Sequence, residues 1–476
     1  MKASHTIRPV FDDPNLVGSA GLVPALLLAQ AAGLHDLCAE HLEVASPNPQ
    51  VKTTAVVAGM VAGADSIDDM ALLRHGAMPR LFSGIVAPST IGIYLRAFTQ
   101  GQIAQLDAVA SRFLVGLVGL VGGLLAGAGL GSRGQDEGIV FCDVDDTIRQ
   151  VYGYAKQGAA YGYSKVKGLN AQLAVLSTPV SAPVIAAAKL RRGNVASHAG
   201  SARLLARALA TARTAGVSCR VMVRADSAYF THAFIATAAR AGAWFSVTAR
   251  MNAKVKAAIA SIDPAAWQTI KYPHAVWEAG EEPGEGHWVS DAEVAEIDFV
   301  AFTSRRKKDR IGCRLVIRRV KRHQRLASDG TAQGELFAVY RHHGFLTNST
   351  LSTVEADQHH RDHAVIEQVI AELKDGPLAH LPSGKKTANS AWLAHAIIAF
   401  NLARAVAVLG GRRHARTRWA TIRTQLINIP ARVASSSRTI TLHLPSGWAW
   451  AEAWDHLHRQ TRSLLIGGGP PPLATP

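Results

Sequence analysis

The sequence predicts an α/β fold: a mixed sheet flanked by helices, preceded by a helical region and interrupted by a β-rich insertion. Three observations carry this. Short apolar, β-branched runs start at Gly138 and give way to an alternation with helical stretches through Arg250. The first 135 residues read as mostly helical. Residues 251–349 break the alternation with further strand-like runs before helices resume.

In residues 1–135, Val23 to Ala32 and Thr53 to Ala64 are apolar, Ala-rich runs. Ser66 with Asp68 and Asp69, and Pro88 with Ser89 and Thr90, read as helix starts, because Ser, Thr and Asp oxygens cap free N–H groups. Thr90 to Phe98 has the form of a recognition-type helix, a form that plain packing helices share. Phe113 to Leu130 carries no charge and reaches the lower limit for a membrane span. Its glycines weaken a helix and no aromatic belt flanks it, so it is expected to be a buried helix fading into a linker, with no membrane partner.

The strand-like runs are GIVFCDVD (138–145), AQLAVLST (171–178), CRVMVRAD (219–226) and WFSVTAR (244–250), with helical stretches Ser201–Gly216 and Thr231–Gly242 between the later ones. The insertion holds Trp267, Trp277, Trp288, an acidic loop from Glu278 to Glu285, and the runs EIDFVAFT (296–303), RLVIRRV (314–320) and ELFAVYR (335–341). Helices resume near Val354, Asp362–Leu373 and Ala391–Leu409 being the clearest. The expected divisions are 1–135, 136–250, 251–349, 350–411 and 412–476. The last is basic at Arg412, Arg413, Arg416, Arg418 and Arg423, amphipathic around Trp448–Leu465, and ends in GGGPPPLATP, a composition expected to be disordered.

Hydrophobic residues at 48% and charged residues at 18% provide a large core and exclude a mostly disordered chain. The net charge of +16 points to nucleic acid, because neutralising phosphates supplies most sequence-independent affinity. The four cysteines are widely spaced and form no Cys-x-x-Cys pair, so nothing suggests a zinc knuckle or a disulfide framework, which agrees with a cytoplasmic, nucleoid-associated setting. The densest basic run lies in the insertion: Arg305, Arg306, Lys307, Lys308, Arg310, Arg314, Arg318, Arg319, Lys321, Arg322 and Arg325. Such a run is either a solvated face or a DNA backbone track, and its density favours the track.

Asp145 and Asp226 each follow an apolar run, where a charge is costly unless it caps a strand, is paired or holds a metal. Asp143 points to the same strand face as Asp145. Residues 360–374 read as one helix, with Val365, Ile366, Val369, Ile370 and Leu373 on an apolar face. His360, His363, Glu367 and Lys374 then form a polar stripe beside it. One carboxylate among basic groups suits a site for metal and phosphate. Carboxylates from separate elements can hold two Mg²⁺ ions about 4 Å apart.

The order Asp145, Asp226, Glu367 resembles the DDE transposases of bacterial insertion sequences. Asp145 with Thr147 is similar to the Asp-x-Thr of the family's first catalytic strand, and Arg224 to Ser227 to its second. YGYSKVKGLN (161–170) and LRRGN (190–194) are similar to the middle of that core. His360, His363, Glu367 and Lys374 fall on the spacing of the family's Tyr-x2-Arg-x3-Glu-x6-Lys signature, with histidines in the Tyr and Arg positions. With HLPSG (380–384), Asn389 and Trp392, the resemblance is greatest to the thirteen-eighty group and runs from about Val10 to Leu409.

The resemblance implies a ribonuclease-H-like catalytic core enlarged by a β-rich insertion. It implies catalytic and metal-binding roles for Asp145, Asp226 and Glu367, with Asp143 as substitute for Asp145, and two Mg²⁺ or Mn²⁺ ions. It also implies double-stranded DNA as partner, both terminal inverted repeats and target, bound by a homodimer. His360, His363, Lys374, Arg305, Arg306, Lys307, Lys308, Arg318, Arg319 and Arg322 are the expected DNA contacts. Two alternatives stand beside this: a zinc hydrolase using His359, His363 and Glu367, and a DNA-binding derivative without cleavage.

Overall fold

The computed structural model describes residues 5–130, 138–153, 155–270, 276–279, 286–289, 292–321 and 340–466. A short strand β1 (Leu16–Val17) leads into helices α1 (Leu22–Ala31), α2 (Leu34–His41), α3 (Pro49–Ala62), α4 (Met78–Leu81), α5 (Pro88–Ala97) and α6 (Gln100–Leu120). Thr99 and Gln102 form a capping box that starts α6, satisfying N–H groups the first turn leaves unpaired. Ser66 and Asp69 bond to one another at the start of a short 3₁₀ helix, Asp68–Leu73.

The sheet begins with β2 (Ile139–Gln150), followed by β3 (Ala160–Tyr161), β4 (Lys167–Ser177) and β5 (Val184–Arg192). Helix α7 (Ser201–Thr214), β6 (Arg220–Ala225), α8 (His232–Arg240) and β7 (Trp244–Thr248) come next. Strands β2, β4 and β5 form an antiparallel meander, and β6 and β7 add parallel to β2. The resulting order β5-β4-β2-β6-β7 fits the ribonuclease-H-like arrangement. Parallel neighbours need a crossover connection rather than a hairpin, and α7 and α8 supply it before β6 and β7. The run 138–145 is longer than its apolar part suggests: β2 continues to Gln150 because β4 pairs it throughout.

Helix α9 (Ala253–Ala260) then precedes β8 (Gln268–Ile270), β9 (Val276–Ala279), β10 (Gly286–Val289), β11 (Ala292–Ala301), β12 (Ile311–Lys321) and β13 (Tyr340–Thr347). The insertion does not stand apart. β13 pairs with β7 through Phe345–Thr248, Leu346–Val247 and Thr347–Ser246, so β13, β12, β11 and β8 extend one ten-stranded sheet. Among the described residues of the insertion, only β9 and β10 form a hairpin apart from this sheet. The expected strand 335–341 falls mostly outside the described residues, as do the acidic loop beyond Ala279 and Arg322.

Helices α10 (Thr353–Arg361), α11 (Val365–Lys374) and α12 (Lys386–Leu409) follow, then α13 (Trp419–Ile422), the hairpin β14 (Ala431–Ser436) and β15 (Thr439–His443), and α14 (Ala451–Leu465). Strand β14 pairs back onto β1. Helix α12 lies between β5 and the N-terminal helices, and one hydrophobic cluster runs from Val17 to Leu457. Asn401 on α12 bonds both N and O of Ile185 at 2.9 Å, so a side chain satisfies the outer edge of β5. Helices α6 and α12 are long and apolar enough to cross a membrane, yet 89% of the apolar window of α12 is buried inside the protein and 44% of that of α6.

Candidate active site

The last register pair between β2 and β6 is Val144 with Ala225. One residue further, the two strands carry Asp145 and Asp226 side by side, where β6 leaves the sheet. Asp226 is held by its own turn, its carboxylate accepting from Ala228 N at 2.9 Å. Two residues earlier, Asp143 is 1% exposed and takes both prongs of Arg224, at 2.6 and 2.7 Å. Arg224 also donates to His359 O at 2.8 Å and covers the Phe141 ring at 3.9 Å. Asp143 is thus consumed inside the fold, while Asp145 is only partly buried and carries no ion pair among the described residues.

Burial pushes the Asp145 carboxyl up to about 7, the Asp146 N–H at 2.7 Å opposes it, and the charges of Asp226, Asp146 and Glu367 push further. Desolvation also raises Asp226; the Ala228 N–H and the nearby His363 counter it. Asp145 on β2 therefore feels the carboxylates of both Asp226, just after β6, and Glu367 on α11.

The expected single helix over 360–374 is broken. Helix α10 ends at Arg361, a 3₁₀ turn covers Asp362–Ala364, and α11 starts at Val365. This disrupts the polar stripe. His360 is turned inward: its two ring nitrogens meet Ser246 Oγ at 2.8 Å and Thr248 Oγ1 at 3.1 Å, and its ring stacks on Phe345 at 4.1 Å. Burial holds its pKa well below the usual histidine value, with the charges of His363 and Arg318 adding to the effect. A neutral, fully engaged ring acts as a structural tie between α10 and strands β7 and β13, where the sequence pattern predicts a DNA contact. His363, in the turn, bonds His360 O through Nδ1 at 2.7 Å.

Helix α11 buries Ile366, Val369, Ile370 and Leu373 and leaves Glu367 exposed in its first turn. Glu372 fixes the helix by accepting from Arg404 Nη2 and Trp419 N, each at 2.7 Å. Lys374, half-buried in the last turn, has its pKa lowered by desolvation and by Arg149, while Asp145 pulls it back up. Glu367 and Lys374 thus both reach the surroundings of Asp145.

The basic run divides. Arg305, Arg306, Lys307 and Lys308 are exposed at the turn between β11 and β12, with Arg306 bonded to Asp309 at 3.0 Å. Arg318 pairs with the buried Asp357 at 2.9 Å. Arg319 pairs with Glu293 at 2.5 Å and lies over Trp267 and Tyr340. Arg318 thus ties β12 to α10, and Arg319 is engaged within the extended sheet, unlike the exposed cations at the turn.

Sequence reasoning missed two groups. Asp146, next to Asp145, pairs with the buried Arg191, which also holds Asn170 and the carbonyls of Ala196, Ser197 and Ala199. The LRRGN string contained that arginine without revealing its role. Arg418 and Arg423 share with Glu367 a cavity of about 380 Å³; the basic charge of the segment was visible, its nearness to α11 was not. The zinc set is not assembled. His359 ends α10 with its ring 5.2 Å from that of Phe141, and His363 sits in the turn. Among the described residues, no three His, Cys, Asp or Glu side chains gather closely enough for one metal ion, and this holds for Asp145, Asp226 and Glu367 as well.

No curated protein matches the chain. The sequence profile of Transposase DDE domain group 1 matches residues 4–465, which takes in the N-terminal helices, the whole ten-stranded sheet and the C-terminal helix α14. A match of that length, over a sheet that sets two aspartates side by side with a glutamate-bearing helix beyond them, assigns the chain to the Transposase DDE domain group 1 family, the transposases of mobile elements.

Proposed function

We propose that this transposase cleaves DNA strands at the ends of an insertion sequence and joins them to target DNA, with Asp145, Asp226 and Glu367 as catalytic carboxylates. The observation that carries this reading is the electrostatic convergence on Asp145, whose carboxyl is raised to about 7 by burial and by Asp226 and Glu367 among its neighbours. Carboxylates repelling one another in a partly enclosed site fit a bound cation. Hard oxygen donors select Mg²⁺ or Mn²⁺ over zinc, and Mg²⁺ commonly takes one or two protein carboxylates with waters completing its shell. Two ions, each held by part of the set, therefore suit these residues without one ion touching all three. When bound, such ions activate the attacking hydroxyl and stabilise the leaving oxygen.

The chain's own residues do the rest. Arg224 holds Asp143 and so fixes the register that presents Asp145. Lys374 and His363 border the carboxylates and supply positive or hydrogen-bonding groups for the scissile phosphate. Arg305 to Lys308 extend the contact along the DNA backbone. The N-terminal helices bind the terminal inverted repeats, the active form is a homodimer on paired ends in the cytoplasm at the nucleoid, and the element belongs to the thirteen-eighty group.

The test uses a labelled duplex carrying the element end, with Mg²⁺ or Mn²⁺. Asp145→Asn, Asp226→Asn and Glu367→Gln should each abolish cleavage and retain end binding. Binding by the unaltered chain with no cleavage under any divalent metal would favour the non-catalytic derivative.

A further inference from the structure

Between the end of α12 and the start of α14 lies an open groove of about 910 Å³, away from the carboxylates. Arg412 and Arg413 on one side and Arg459 on the other are exposed. Trp448 and Trp450 line it, their rings 5.3 Å apart at 72°. Trp448 is anchored by donating Nε1–H to Gln425 O at 3.2 Å, which leaves its ring to the groove.

His414 makes the inner wall more than a charged surface. It is 1% exposed, and its Nε2 faces Gln425 Oε1 at 2.9 Å. That contact engages one ring nitrogen and leaves the other, Nδ1, to be satisfied elsewhere. Nδ1 has no hydrogen-bond partner among the described residues. Buried polar ring atoms are nearly always satisfied, and an unmet one just behind the wall of a groove marks a place for the hydrogen-bonding edge of a ligand. The first turn of α14 opens on the same groove without a side-chain cap, and free helix N–H groups favour an anion.

We propose that this groove takes one unpaired nucleotide of a DNA strand, its base against the tryptophans and His414, its phosphate between Arg412, Arg413 and the start of α14. Stacking on aromatic rings is open to any base, and an arginine pair suits one phosphate. Glu452 and Asp455 also line the groove and offset two of its three arginines. That balance fits a single phosphate better than a long backbone track. The segment from Arg412 leads on to Arg418 and Arg423, which border the Glu367 cavity. A strand leaving the active site can therefore follow it.

This inference rests on the DNA-acting reading and is tested separately from cleavage. The full-length chain is titrated, without divalent metal, with a gapped duplex in which one 2-aminopurine is left unpaired opposite the gap, and with the same duplex fully paired. Stacking should quench the unpaired probe. Trp450→Ala should abolish the quenching and weaken binding of the gapped duplex about tenfold, with the paired duplex unaffected. Trp450→Phe should restore most of it. The exposed double variant Arg412→Ala/Arg413→Ala should weaken the gapped duplex in the same way. Equal losses on both duplexes, or full quenching in Trp450→Ala, would overturn the subsite and leave the DNA-acting reading standing. Failure of the unaltered chain to bind either duplex would overturn both.

Discussion

Asp143 and Arg224 are register partners on β2 and β6 and form a two-pronged ion pair, both side chains 1% exposed. Each lies two residues before a proposed catalytic aspartate on its own strand. The pair therefore fixes the relative height of Asp145 and Asp226.

Breaking this pair should be a folding defect, and replacing Asp145 should not. Removing one partner of a buried ion pair costs about 3–5 kcal/mol, because the other charge is left uncompensated. Asp143→Ala and Arg224→Ala should each lower the denaturant midpoint strongly and lose cleavage along with structure. Asp145→Asn should lose cleavage with the midpoint held or raised. A stable, cleavage-competent Asp143→Ala protein would contradict this division of roles.

Metal binding should be linked to protons near neutrality. The folded Asp145 carboxyl, at about 7, binds its proton more tightly than the unfolded chain does, near 3.9. Folded stability from this group is therefore full at low pH and falls as pH rises through about 7. Without divalent ions, Asp145→Asn should melt above the unaltered protein at pH 8 and approach it at pH 4. Mg²⁺ should raise the melting temperature of the unaltered protein more at pH 8 than at pH 6, since it competes with that proton. A difference between the two proteins that does not change with pH would rule the linkage out.

His360 and His363 should separate. Burial keeps His360 neutral, so the unfolded chain takes up its proton first as pH falls below about 6.5, and stability is lost in that direction. His360→Phe keeps a ring against Phe345, and should lose stability at pH 7 while flattening the acid limb of the stability curve. His363, beside Asp226, is the histidine proposed to meet the phosphate. His363→Arg should retain cleavage, and His363→Ala should lower it about 10- to 100-fold, the range of one charge-assisted hydrogen bond. Metal-induced stabilisation should be unchanged in both. Loss of that stabilisation in His363→Ala would make this histidine a metal ligand instead.

What the sequence revealed followed local chemistry. The strands bearing Asp145 and Asp226 were visible because they are apolar and β-branched. Strand β5 was not, since Val184–Arg192 is Ala-rich with low strand propensity, and its place is set by β4 and by Asn401, far away in the chain. The break at Asp362–Ala364 has no glycine or proline to announce it; it accompanies the docking of His360 against Ser246 and Thr248, a tertiary contact. The glutamate's helix face survived the break because Glu367 and Lys374 both lie on α11. Charge was legible throughout, but partners were not. Arg318 and Arg319 read like their neighbours until Asp357 and Glu293 appear beside them.

That contrast within one basic run yields the last prediction. The exposed tip, Arg305, Arg306, Lys307 and Lys308, has solvent around it, and one of its cations is bonded to Asp309. Exposed ion pairs are weak, so phosphate can displace that carboxylate. Each phosphate contact made by a cation releases counterions and adds about 0.9 to the slope of log K against log salt. Changing all four to alanine should weaken binding to any duplex, lower that slope by about 2 to 4, and leave the melting temperature almost unchanged. Arg318→Ala should do the reverse. Asp357, buried between Arg318 and Arg361, would lose one of its partners, α10 would loosen from β12, and the protein would melt earlier, with the salt slope intact. Filter binding from 50 to 300 mM salt, beside thermal melts of both variants, separates the two effects. An unchanged slope in the fourfold variant would make the tip a solvated turn, and a lowered slope in a normally stable Arg318→Ala protein would return that arginine to the DNA.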